Sequence, residues 1–491
     1  MAHKPVVFFI SPEAAPFAKT GGLADVAGSL PSALHSLGAE VAVGLPFYRA
    51  IKEQNLSIWE KIPRIEVPLG EDTLSCRVLE TKTADGIPVY FFDREDLFDR
   101  PRLYGTPEGD YYDNFERFCF FCRAVLLFAK EAGFRFQVAH CHDWQTGPVP
   151  AYLRTVYGND PFFASTATVF TIHNLGYQGL FPQSKLAASG IPEKEFNPEG
   201  LEYWGKISLL KAGITYSDAI TTVSKKYSEE IRTPEFGQGL DGVLRARDEA
   251  LYGILNGVDY KAWDPSRDPH IPYHYDSGKV ETKKKNKAAL IEELKLKRSR
   301  NERPLLGLIS RLSSQKGCDL VVQIAEDVVN LKALLAILGE GDEIYRSALV
   351  ELSRKHGSNI AVRIGFDEPL AHKIMAAADM LLIPSLYEPC GLTQMYALKY
   401  GTVPIARATG GLDDTISSFD PENRTGNGFK FGPYTAEALL GAIKEALALF
   451  RNKEAWRTLM RNGMNEDFSW DRSARRYLEI YQSLIRKKQD V

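Results

Sequence analysis

Hydrophobic positions along the chain fall into two repeated alternations of short apolar runs and helical stripes. Val6–Ile10 is a continuous apolar run of strand length, and after a loop Leu23, Val26, Ala27, Leu30, Leu34 and Leu37 recur at the spacing of one helix face. Gly38 ends that helix, and a second buried-type strand at 40–45 follows at once. Strand, loop, helix, strand is the unit from which parallel sheets are built. The same grammar restarts at 305–310 and continues through 334–338, 360–364, 380–383 and 403–406, with segments of helical length between them. The expectation is an α/β chain with two parallel sheets. Its boundary is expected near Asn256, where Gly253 to Gly257 and then Pro265, Pro269 and Pro272 interrupt regular structure.

A length of 491 residues exceeds what one hydrophobic core sustains, which agrees with two domains. Hydrophobic residues at 44% and charged residues at 25% describe an ordinary globular chain. With 60 basic against 63 acidic residues, nothing global recommends nucleic acid or an acidic membrane as a partner. The basic run 279–300 reads as a solvated helix entering the second domain, with no function assigned. No apolar stretch has the length of a signal-peptide core or a membrane span, and six dispersed cysteines suit a reducing compartment, so a soluble cytoplasmic protein is expected.

In open α/β sheets ligands bind beyond the carboxyl ends of strands, so the loops there carry the candidate chemistry. The first loop runs from Ser11 through Glu13, Lys19, Gly21 and Gly22. Adjacent glycines at a helix start let backbone N–H groups approach a phosphate, with Lys19 as a mobile cation, although a tight turn with a solvated lysine fits the same letters. It is neither the phosphate loop of nucleotide hydrolases nor a dinucleotide fingerprint. A second loop, 310–317, places Arg311 and Lys316 where they can neutralise a diphosphate from one side, without a metal.

The third loop, 384–393, sets Glu388 among turn-formers, ahead of a helix expected over 392–400. The carboxylate is either aimed at a ligand or a simple helix-terminal acid, and the amides of Gly391, Leu392 and Thr393 offer another anion site. The fourth loop, 170–176, carries His173 and Asn174; the imidazole can donate to a sugar hydroxyl, act as an acid or base, or be structural. After an expected strand at 136–139, His140, Cys141, His142, Asp143 and Trp144 crowd polar groups, but no convincing metal set emerges. Cys119 and Cys122 sit in an aromatic helical stretch that reads as core.

Together these strings resemble the family of bacterial glycogen synthases and plant starch synthases, ADP-glucose-dependent retaining glucosyltransferases. The resemblance runs from Ile10 to about Trp470 through 19–26, 103–118 with Tyr104 and Asn114, 140–144, 171–179, 254–259, 310–317, 384–394 and Gly410, Gly411 and Leu412. It implies a GT-B fold of two Rossmann-like domains facing across a deep cleft. Residues 1–255 would form the starch synthase catalytic domain on the acceptor side, 256–470 the nucleotide-sugar-binding domain, and 471–491 a helix crossing back to the first domain. By the same resemblance Lys19, Gly21, Gly22, Arg311 and Lys316 are diphosphate ligands. Asp143, His173, Asn174, Asn256, Glu388, Cys390, Gly391 and Leu392 contact the donor sugar, with Thr393 beside them, and Glu13 and Tyr104 face the acceptor.

His173, Glu388, Arg311, Lys316 and Asp143 are the catalytic candidates. The implied reaction extends an α-1,4-glucan by one glucose from ADP-glucose and releases ADP, with no cofactor or metal. Pro12, Ala14, Ala408 and Asp413 depart from the usual family wording. Alternatives are UDP-glucose as donor, or a non-catalytic glycan-binding relative on the same scaffold.

Overall fold

A computed structural model describes residues 4–106, 108–297 and 303–490. The chain divides into two compact units, Met1–Gly257 together with Trp470–Val491, and Val258–Ser469, so it passes from one to the other at 257–258 and back at 469–470.

The first unit is built on nine strands: β1 (Val6–Ile10), β2 (Glu40–Pro46), β3 (Trp59–Leu69), β4 (Asp72–Lys82), β5 (Pro88–Asp93), β6 (Val138–His142), β7 (Ala167–Ile172), β8 (Ala219–Thr222) and β9 (Leu251–Gly253). Their spatial order is β9-β8-β7-β6-β1-β2-β5-β4-β3. Pairing is parallel from β9 through β5, and β3 and β4 add an antiparallel hairpin. Central strands of parallel sheets are covered on both faces and read as unbroken apolar runs, as Val7, Phe8, Phe9 and Ile10 do at 0% exposure. The helix Gly22–Ser36 follows β1, and its end is closed by Gly38 N–H to the His35 carbonyl and Ala39 N–H to the Leu34 carbonyl.

The second unit carries β10 (Leu305–Ile309), β11 (Leu334–Gly339), β12 (Ile360–Ile364), β13 (Met380–Ile383), β14 (Val403–Arg407) and β15 (Phe429–Phe431), all parallel, in the order β12-β11-β10-β13-β14-β15. Their apolar side chains enter two cores, one with helices that carry Val321, Ile324, Leu439 and Ile443, the other with helices that carry Leu290, Leu370 and Ile374.

Three features differ from the sequence reading. The β3–β4 hairpin escaped the pattern because register shifts around Ile62 break the two-residue alternation on which recognition of a strand depends. The strand expected at 136–139 is displaced to β6, so His140 and His142 lie inside it, fully buried, rather than in the loop after it. The third is the basic run. Its helix is Lys283–Glu293, and Lys283 and Lys287 are buried rather than solvated, while 298–300 lie outside the described residues. Lys283 Nζ donates to the Met375 carbonyl and Thr402 Oγ1, and Lys287 pairs with Asp379 at 2.6 Å. No helix among the described residues is long and apolar enough to cross a membrane.

Asp379 Oδ2 receives both Lys287 and the backbone N–H of Leu305, which opens β10. Breaking a buried pair from one side leaves an uncompensated charge, so Lys287→Met is expected to destabilise the second unit by about 3–5 kcal/mol. Urea unfolding followed by a probe in that unit measures the loss.

Candidate functional site

Among the parallel strands of each sheet the order reverses once, between β1 and β6 in the first unit and between β10 and β13 in the second. At such a point neighbouring crossovers leave in opposite directions and open a crevice at the carboxyl ends of the strands. Glu13, Lys19, Gly21, Gly22 and Asp143 follow the two flanking strands in the first unit, and Arg311, Lys316, Glu388, Cys390, Gly391, Leu392 and Thr393 follow those in the second, whereas Asn256 follows β9 at the edge of the first sheet.

In the first unit the loop after β1 folds over the start of the helix Gly22–Ser36, with the Ala15 N–H on the Ala24 carbonyl. Glu13 is buried in this loop and accepts hydrogen bonds from the Thr20 N–H, from Thr20 Oγ1 at 2.9 Å and from the Tyr104 hydroxyl at 3.0 Å. Burial raises its pKa, opposed by those hydrogen bonds. Tyr104 is held in turn by Asn114 Nδ2 on its carbonyl at 2.9 Å. Lys19 is half-exposed and pairs with Asp25 at 2.6 Å, while Gly21 is the N-cap residue of the helix and leaves its first turn without a side-chain cap. The helix terminus and the lysine are thus presented together, as an anion site requires.

Asp143 follows β6 with φ 55° and ψ −178°, a backbone region nearly reserved for glycine, and strain of this kind concentrates at functional sites. Its carboxylate is buried and accepts the His173 N–H at 2.7 Å. Desolvation pushes its pKa up to about 7, against the pull of the His173 and Asn174 amides and with a smaller push from Glu13. His173 is buried beside it, and desolvation brings its imidazole down to about 3. The ring is therefore neutral at physiological pH and serves as a hydrogen-bonding group, not as an ionised acid.

His173 Nε2 is 2.9 Å from His142 Nδ1, and His140 behind them meets Thr171 Oγ1 at 2.6 Å and the Tyr481 hydroxyl at 2.7 Å. Tyr481 lies on the helix Trp470–Gln489. No group of three His, Cys, Asp or Glu residues that could hold a metal occurs among the described residues. Asn174 closes its own turn through the Gly176 N–H. Asn256 is buried, and its side-chain oxygen has no partner among the described residues. A buried polar atom of this kind calls for a partner such as a water, an ion or a ligand.

In the second unit three loops, after β10, β13 and β14, interlock. Gly317 has φ 72°, and a Cβ on it would run into the Pro384 carbonyl oxygen; Gly410 has φ 46°, and a Cβ on it would strike the carbonyl oxygen of Glu388. Only glycine satisfies both demands at these two positions. The Leu386 N–H donates to the Gln315 carbonyl at 2.8 Å, and the Gly411 N–H to the Glu388 carbonyl at 3.0 Å. The result fixes Glu388, 6% exposed, with Lys316 Nζ at 2.6 Å and Ser385 Oγ at 2.9 Å converging on its Oε2. Arg311 is exposed on the same loop as Lys316, with Nη2 at 3.3 Å from Gln315 Oε1.

Cys390 is buried, and Gly391 and Leu392 lead into a short helix, Thr393–Lys399, that begins one residue later than expected and has no side-chain cap at Leu392. Sequence reasoning had picked out the charged residues. It missed Thr20 and Ser385, which orient Glu13 and Glu388, and Tyr481, which meets His140, because a lone hydroxyl carries no signal until the fold supplies its partner.

The starch synthase catalytic domain family matches residues 6–246, and the glycosyl transferases group 1 family matches 291–460. A glycogen synthase of Syntrophotalea carbinolica is 47% identical over 98% of this chain and 99% of its own length. The chain belongs to the glycogen and starch synthase family. Another relative, the glycogen synthase of Koribacter versatilis, is 45% identical over 97% of both chains. The solved catalytic domain of starch synthase IV from Arabidopsis thaliana, bound to ADP and acarbose, is 32% identical and superposes with a TM-score of 0.92 over 98% of this chain and all of that one. The chain is accordingly a glucosyltransferase of GT-B fold.

Asp143 and His173 impose opposite pH dependences on the first unit. The raised Asp143 pKa lowers stability as pH climbs from about 4 to about 7, because the folded state holds a proton that the unfolded state has released. The depressed His173 pKa removes stability as pH falls from about 6.5 to about 3, because the unfolded state takes the extra proton. Asp143→Asn cancels only the first, so its unfolding free energy is expected to fall more steeply than that of the unsubstituted chain between pH 6.5 and 4. Chemical denaturation across that range checks the slope.

Proposed function

We propose that this synthase transfers glucose from ADP-glucose to the non-reducing end of an α-1,4-glucan with retention of configuration, releasing ADP. The observation that carries the reading is the cluster at the switch point of the second sheet, where Arg311 and Lys316 share a loop and Lys316 meets a buried, rigidly held Glu388. Departure of a nucleoside diphosphate concentrates negative charge on the leaving oxygen and positive charge on the sugar. Arg311 and Lys316 answer the first, while Glu388, placed by Ser385 and by the Gly410 contact, answers the second. Attack on the same face, with the leaving phosphate taking the proton of the incoming 4-hydroxyl, needs no second carboxylate from the protein.

In the first unit Lys19 and the uncapped helix start at Gly21 and Gly22 are assigned to the diphosphate. Asp143, neutral His173, Asn174 and Asn256 are assigned to the donor sugar, and Glu13 and Tyr104 to the acceptor. On the second unit Cys390, Gly391, Leu392 and Thr393 complete the donor contacts. The ADP and acarbose bound to the Arabidopsis relative support a nucleotide donor and a glucan-like acceptor. The reading includes a cytoplasmic location and no resident cofactor.

Product formation on a glycogen primer is expected with ADP-glucose in preference to UDP-glucose; a strict preference for UDP-glucose overturns the donor assignment. Lys316→Ala and Arg311→Ala are each expected to lower kcat on the order of a hundredfold, the usual cost of removing a group that stabilises transition-state charge. Near-normal turnover in both would remove the diphosphate role from this loop.

A further inference from the structure

Strand β6 lies at the centre of a parallel sheet, where both faces are covered and an apolar run is expected. It carries His140 and His142 instead, both fully buried. Desolvation holds each imidazole well below its usual pKa, so both rings are buried in the neutral form. A neutral imidazole still brings one donor and one acceptor that need partners, and a strand that required only packing would be served at lower cost by an apolar side chain.

The two rings are partnered differently. Both nitrogens of His140 are met, by the Tyr481 hydroxyl at 2.7 Å and Thr171 Oγ1 at 2.6 Å. The side chain of His142 makes one hydrogen bond among the described residues, between its Nδ1 and His173 Nε2 at 2.9 Å. Everything else about His142 is held fast. Thr146 Oγ1 accepts its backbone N–H at 2.6 Å and lies 2.8 Å from its carbonyl, and the rings of Phe9 and His140 lie against the imidazole with centroids at 4.4 and 4.2 Å. One nitrogen is thereby presented, rigidly, to His173.

His173 Nε2 is taken up by this contact. Its Nδ1 has no partner among the described residues and is not one of their fully enclosed unpaired atoms, so it is the nitrogen left to meet a ligand. Because both rings are neutral, a single proton lies between them. The two rings must then share one tautomer: both protonated on Nδ1, with His142 donating, or both on Nε2, with His173 donating.

We infer that His142 is a positioning residue for glucosyl transfer, fixing the ring plane and the tautomer of His173 so that Nδ1 meets the donor sugar in one orientation and one protonation state. His142 acts through His173, so this role rests on the assignment of His173 to the donor sugar proposed above. A ring held in this way has no orientation to search for during the step.

Nitrogen NMR of the full chain carrying 15N-histidine, joined to kinetics on a glycogen primer, tests the role. Ring signals are assigned by their loss in His142→Asn and His173→Ala. The same single tautomer is expected for both rings at neutral pH; opposite tautomers, or a mixture at either ring, overturn the proposal whether or not any variant at 142 folds. His142→Phe keeps the aromatic packing and removes the nitrogen. Its kcat is expected to fall about tenfold or more, as when a contacting group is misplaced, with KM for the primer unchanged because Glu13 and Tyr104 are untouched. His142→Asn, whose amide offers a donor and an acceptor near the position of Nδ1, is expected to restore most of the lost turnover and to leave His173 in a single tautomer. A loss in His142→Phe that His142→Asn does not relieve assigns His142 to packing alone and overturns the proposal. His173→Ala separates this role from the reading beneath it: unchanged turnover there removes His173 from the donor site and the role of His142 with it, whereas a fall in His173→Ala with none in His142→Phe overturns the role of His142 alone.

Discussion

Parallel pairing is the constraint on which everything else in this chain rests. Because all strands of a parallel ladder point the same way and each must return through a crossover, every loop that follows a strand emerges on one edge of the sheet. Where the strand order reverses, that edge opens. Both units obey this. Glu13, Lys19 and Asp143 follow the two strands that flank the reversal in the first sheet, and Arg311, Lys316 and Glu388 follow the two that flank it in the second.

Within that frame, position is set by backbone contacts and then refined by single hydroxyls. Gly317 and Gly410 bring three loops of the second unit into van der Waals contact with one another's carbonyls, and Ser385 then fixes which oxygen of Glu388 meets Lys316. In the first unit Thr20 does the same for Glu13, and the left-handed backbone at Asp143 turns its carboxylate toward the His173 N–H. A sugar transferase must place charge where the leaving group develops it without rearrangement during the step, and on the proposed reading these contacts are preorganised for that.

The burial that fixes these groups also decides their ionisation. His140, His142 and His173 are all desolvated and neutral, stacked behind Asp143 and tied by Tyr481 to the helix Trp470–Gln489. That helix therefore contributes to the polar interior of the first unit as well as to its packing. His142 Nε2 and the Asn256 side-chain oxygen are buried without partners among the described residues.

The order of strands and crossover helices, the loops that carry charge and the family motifs were legible in the sequence, because short-range periodicity and the letters of contiguous loops do not depend on the rest of the fold. The β3–β4 hairpin was not, since its bulges erase the alternation, and neither was the depth of His140 and His142, whose cover comes from residue 481, far along the chain. Lys283 and Lys287 looked like solvated charges because their partners, Met375, Thr402 and Asp379, lie at least ninety residues away. The sequence by itself determined which groups this protein owns and which loops present them. Tertiary structure alone decided the pair Lys316 with Glu388, which imidazoles are neutral and which lysines are buried, because pairing and desolvation are properties of neighbours in space, not along the chain.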